Sequence, residues 1–138
     1  MKGFHIITDI GPVFTMVPKR ELGILTHDFR FEFYRFGRYH QITIEHGFEW
    51  DGMSIPRVAW ASVGCPFGPK HTMAGLVHDY LYRTKLLTRK QADELMLAIL
   101  KSDGEGWYAR QKMYHAVRLF GRSSWFKAEK KQGVLRGL

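Results

Sequence analysis

The chain has 138 residues, a net charge of +8, 45% hydrophobic and 14% aromatic residues. That supports one apolar core and is too short for two full domains. It contains no run near the roughly 20 apolar residues that cross a bilayer, and its single cysteine, Cys65, excludes an intrachain disulfide or a Cys-rich zinc site. Met1 to Ile10 lacks the apolar stretch of a signal peptide, which predicts a protein made and kept in a cytoplasm.

The first half reads as strands. Phe4 to Ile7 is a short β-prone run closed by Gly11-Pro12, and Val13 to Val17 is another, stopped by Pro18. From Phe29 to Phe36 aromatic and polar residues alternate, putting Phe29, Phe31 and Phe33 on one face and Arg30, Glu32 and Tyr34 on the other. Phe36 breaks that register before Gly37, and alternation resumes over Tyr39 to Glu45, so the segment reads as a hairpin. A further short strand is expected over Phe48 to Trp50.

The second half reads as helices. Ile55-Pro56-Arg57 opens a short helix or turn, and Gly64 to Pro69 is a loop. Residues 70–85 place Met73, Leu76, Val77, Tyr80 and Leu81 at helical spacing. Thr88 and Gln91 form a capping-box pattern ahead of Ala92, Leu95, Met96, Ile99 and Leu100. Asp103 to Gly106 breaks this helix, and a third is predicted from Trp107 to Phe120, ending near Gly121. The fold class is α+β: an N-terminal antiparallel sheet or hairpins, then a three-helix half. One domain over 1–138 is expected, β-rich over 1–52, helical over 55–122, with a basic tail over 123–138.

Charge is uneven. From Glu105 onward there are eight Lys or Arg and two acids, which is +6 of the +8. On the third helix Met113, Ala116 and Phe120 make an apolar stripe, while Arg110, Lys112, Arg118 and Arg122 supply a cationic surface for an anionic partner: lipid headgroups, nucleic acid, or another protein. A solvated helix face explains the same charge.

The densest polar cluster falls on the two central helices. His78-Asp79 is followed by Tyr82, and Asp93 stands fifteen residues after His78, beyond the turn at Thr88. An antiparallel helix pair can bring His78 and Asp93 together. A histidine held by a carboxylate is a general base for water, and a second carboxylate at Asp79 can hold a hard cation. His71 lies seven residues before His78 on the same predicted face. Asp51, Ser54 and Arg57 belong either to a capped turn or to the rim of the His78 site, where Arg57 would offer a fork to phosphate or carboxylate. A structural His–Asp hydrogen bond competes with the catalytic reading.

Taken together, Asp51-Gly52-Met53-Ser54-Ile55-Pro56-Arg57, Trp60, Gly64, Pro66, His78-Asp79-Tyr80-Leu81-Tyr82, Ala92-Asp93, Val117-Arg118 and Phe120-Gly121 resemble an uncharacterised family of small proteins found in tailed bacteriophages and prophages. The usual pattern has Ala where Met53 stands. The resemblance spans roughly residues 30 to 125 and implies a phage origin, with residence in the host cytoplasm or the virion and another phage or host protein as a possible partner. Locally, His78-Asp79-x-x-Tyr82 followed by Ala92-Asp93 is similar to the core of phospholipases A2, especially the viral capsid type. That similarity implies His78 as general base, Asp79 as a calcium ligand, Asp93 as the group orienting His78, and Tyr82 in support. Val63 to Gly68 departs from that group's calcium loop, lacking its tyrosine and spacing. Three functions follow: a His/Asp-dependent hydrolase of a lipid or cell-envelope ester, a phage virion or assembly protein, or a host-directed binding protein without catalysis.

Overall fold

The computed structural model describes residues 3–17, 19–20, 22–51, 68 and 70–127, and the backbone of 135–137. The alternating aromatics become β4, Phe29–Arg35, which pairs antiparallel with β5, Arg38–Ile44. Phe29, Phe31 and Phe33 face inward with Ile42 and Ile44, as the period of two requires. Phe36 and Gly37 form the two-residue turn, both with positive φ (48° and 77°), so Phe36 leaves the strand register and stands exposed. β1, Phe4–Ile6, flanks β4, and β7, Leu135–Gly137, flanks β5, giving the order β1-β4-β5-β7.

A second antiparallel sheet has the order β2-β3-β6, built from β2, Phe14–Val17, β3, Leu22–Leu25, and β6, Glu49–Trp50. Two of the seven strands among the described residues depart from what the sequence predicts. β3 is four residues long, contains Gly23 and buries neighbours on both faces, so it carries no alternation to detect. β7 falls in the segment expected to be a basic tail, and it pairs with β5, which lies far before it in sequence.

Among the described residues, three helices complete the α+β fold: α1, Thr72–Thr84, α2, Arg89–Ser102, and α3, Trp107–Lys127. α1 is buried along almost its whole length. It ends where Lys85 adopts the left-handed conformation (φ 58°), and the Lys85 ammonium donates to the carbonyls of Tyr82 and Trp125, each at 2.6 Å. Both bonds of the capping box form at the start of α2, Gln91 N–H to Thr88 Oγ1 at 3.1 Å and Thr88 N–H to Gln91 Oε1 at 3.0 Å. α2 then ends at Asp103-Gly104, where Gly104 has φ 86°.

α3 does not stop at Gly121 but continues six residues further, to Lys127. Gly121 answers a steric demand rather than a helix end. A Cβ there would lie 2.5 Å from the Tyr82 hydroxyl, so only glycine lets the helix approach α1 that closely. One apolar cluster links the layers, with Phe31, Phe33, Ile42, Ile44 and Trp50 from the sheets meeting Leu76, Leu81, Leu95, Met96 and Val117 from the helices.

Candidate active site

The site lies inside the helical layer. The αL turn and the capped start of α2 reverse the chain, so α1 and α2 run side by side. His78 Nε2 donates to Asp93 Oδ1 at 2.7 Å, and the Tyr82 hydroxyl donates to the same oxygen at 2.6 Å. From α3, Arg118 Nη1 donates to Asp93 Oδ2 at 2.7 Å. Arg89, one turn before Asp93, stands 3.6 Å from Oδ2 and donates to the carbonyls of Val117 and Arg118. Asp93 therefore ties all three helices together, with its own side chain and that of His78 0% exposed.

The electrostatics follow from these partners. Burial alone would raise the Asp93 carboxyl, but hydrogen bonds from His78, Tyr82 and Arg118 hold it below the usual carboxylate range. Burial, reinforced by the bond to Asp93, raises the Tyr82 phenol, so it stays a donor. For Arg118, burial works against the cation, and the Asp93 carboxylate outweighs it. An ionised Asp93 can only accept, so His78 Nε2 must carry a proton. His78 Nδ1 is buried and has no hydrogen-bond partner among the described residues. The imidazole is thus oriented at one nitrogen while the other remains an unengaged base. Its ring also packs on Tyr82, with centroids 4.2 Å apart.

Of the remaining candidates, Asp79 and His71 have partners outside this hub. Asp79, beside His78 in sequence, accepts from Arg83 Nη2 at 3.0 Å. Among the described residues no group of three or more His, Cys, Asp or Glu gathers as a metal site. A cation at Asp79 would compete with the Arg83 guanidinium for its carboxylate. His71, expected on the rim of the His78 site, engages Glu105 at the head of α3 instead. Asp51 is exposed just beyond β6, and Ser54 and Arg57 lie outside the described residues.

The cationic surface on α3 is also redistributed. Arg118 turns inward to Asp93, and Arg110 donates to the Glu105 carbonyl at 2.9 Å. Lys112 and Arg122 remain outside, while Phe120, expected in the apolar stripe, is exposed. Two members of the hub were not expected from the sequence. Arg89 was detectable, since it stands at i,i+4 to Asp93. Arg118 was not, because its role depends on how α3 crosses α2.

Fold and site define a class: an α+β protein whose three helices are joined at a buried His–Asp–Tyr–Arg hub. The chain belongs to the family described as protein of unknown function (DUF1353), whose model matches residues 25–117. It is also 35% identical over 72 residues to the uncharacterized protein y4jT of Sinorhizobium fredii (strain NBRC 101917 / NGR234). That similarity covers 51% of this chain and 21% of the relative, so the chain spans about a fifth of the relative's length. No solved structure matches it.

Proposed function

We propose that the chain is a phage-encoded hydrolase of a lipid or cell-envelope ester, with His78 as general base and Asp93 as the residue that orients it. The observation that carries this reading is the His78 imidazole, held at Nε2 by Asp93 and left with a buried Nδ1 that has no partner among the described residues. A base oriented in this way can take a proton from water as the water oxygen attacks the ester carbonyl. The carbon–oxygen bond to the leaving group then breaks, and the same proton passes to the leaving alcohol. Tyr82 and Arg118 support the step by keeping Asp93 ionised. The D-G-x-S-I-P-R and H-D-Y-L-Y motifs support a phage or prophage origin, and with it residence in the host cytoplasm or the virion. Calcium at Asp79 belongs to the phospholipase A2 resemblance, and the proton transfer itself needs no cation.

A second reading has its own observation. His78 and Asp93 are both 0% exposed, which suits a purely structural lock in a virion, assembly or host-directed binding protein. One experiment separates the two. The intact chain is offered ester probes and phospholipid vesicles, with calcium and with a chelator, alongside His78→Gln. Glutamine keeps a donor toward Asp93 and removes the base. Hydrolysis by the natural chain that falls about a hundredfold or more in a folded His78→Gln protein supports the hydrolase. No hydrolysis by the natural chain, or hydrolysis unchanged by His78→Gln, ends that reading.

A further inference from the structure

α3 is one-sided in an unusual way. Its inner face is fixed by Met113, Ala116, Val117 and Gly121, and by Arg118 on Asp93, so the helix cannot rotate without breaking the hub. The opposite line runs Tyr108, Lys112, His115, Leu119, Arg122, Phe126, at intervals of three and four. Tyr108 is 70% exposed, Leu119 75% and Phe126 70%, and Trp107 beside them is 65% exposed. The helix contains five Lys or Arg and no Asp or Glu.

The cations and aromatics on this face are paired. Lys112 lies over the Tyr108 ring, 5.2 Å from its centroid, and Arg122 over the Phe126 ring at 5.6 Å. The line of residues spans about 27 Å at 1.5 Å per residue. Among the described residues, no helix is long and apolar enough to cross a membrane.

We propose that this outer face of α3 docks on the surface of an anionic lipid bilayer, lying in the headgroup plane. Tyr108, Leu119 and Phe126 would enter the boundary between headgroups and acyl chains, and Lys112, Arg122 and Lys127 would meet lipid phosphates. The exposed apolar residues decide between polyanions. A nucleic-acid backbone would engage the cations and leave Leu119 in water, whereas a bilayer buries it. Charge also disfavours a second copy of the same face, because its cations would meet cations. The inference stands on α3 alone and holds whether or not His78 is catalytic.

The test is co-sedimentation of the full chain with vesicles of phosphatidylcholine alone or mixed with phosphatidylglycerol, with duplex DNA as competitor. Binding is expected to the mixed vesicles, weakening as salt rises. Leu119→Ser and Phe126→Ser should each weaken it about tenfold, because each removes a large apolar side chain from the acyl boundary. Arg122→Glu should weaken binding to anionic vesicles specifically. The His78→Gln protein should bind like the natural chain, which separates docking from catalysis. Circular dichroism confirms that each variant is folded. Failure to bind anionic vesicles at low ionic strength would overturn the proposal. So would binding indifferent to Leu119→Ser and Phe126→Ser, or DNA held in preference to vesicles. Self-association abolished by Leu119→Ser would assign the face to a second copy instead.

Discussion

His78–Asp93 and His46–Asp28 are the same two side chains at nearly the same separation, 2.7 and 2.8 Å. The first pair is 0% exposed on both sides and sits where three helices meet. The second is 73% and 59% exposed, at the open end of the β4–β5 hairpin. Both aspartates are held below their usual range. At Asp28 the His46 backbone N–H is the main cause, followed by the His46 ring. At Asp93 burial works in the opposite direction, and it takes His78, Tyr82 and Arg118 together to overcome it. The same local chemistry is therefore a water-screened contact in one place and a structural hub in the other. Distance does not distinguish them; the number of partners and the exclusion of water do.

The largest expected effect comes from Asp93→Asn. The amide leaves Arg118 facing a neutral group, and it cannot accept from His78, Tyr82 and Arg118 as well as a carboxylate does. A loss of about 3–5 kcal/mol is expected, as for other broken buried pairs, measured by urea unfolding. The acid limb of stability should change with it. Asp93 binds its proton more weakly folded than unfolded, so its contribution is present above the ordinary carboxylate value, about 3.9, and is lost as pH falls through the lower folded value. The Asp93→Asn protein should show a flatter acid limb. An effect no larger than that of a change at Asp28 would collapse the distinction between the two pairs.

A smaller effect tests how tightly the hub is packed. Gly121→Ala places a methyl group 2.5 Å from the Tyr82 hydroxyl, which is pinned by Asp93. Overpacking of about 1–3 kcal/mol should exceed the helix-propensity gain of about 1 kcal/mol. In a Tyr82→Phe background the hydroxyl is gone, and Gly121→Ala should turn from destabilising to stabilising. The urea midpoints of the four proteins read this directly, and the same sign in both backgrounds would show that Tyr82 does not set the limit.

The smallest effect is expected at the exposed pair. Asp28→Asn should leave the unfolding midpoint at neutral pH indistinguishable from that of the natural chain. A clear loss there would mean that the end of the hairpin contributes more than its exposure suggests.

Much of the fold was legible in the residues themselves. Alternation over 29–35 identified a half-buried strand, Phe36-Gly37 marked the turn, and Thr88 with Gln91 marked the start of α2. The His78–Asp93 contact was anticipated from the motif and the capped turn at Thr88, although the two positions lie at unequal distances from that turn. β3 was hidden by its shortness and by burial on both faces. β7 was hidden because its partner strand is far away in sequence. Glu105 gave no local sign that it would engage His71, since they meet only when the start of α1 and the loop before α3 converge.

The sequence by itself determined the strands and helices other than β3 and β7, because periodicity and capping act over a few neighbouring residues. Only the tertiary structure decided which cations belong to the surface. Arg118 and Arg122 are one turn apart on a helix without acids, yet Arg118 completes the Asp93 hub and Arg122 faces solvent. The direction in which α3 crosses α2 settles that difference, and Gly121 lets α3 come close to Tyr82 of α1 at the same time. Such a choice depends on the closest approach of two helices, which no periodicity within either one encodes.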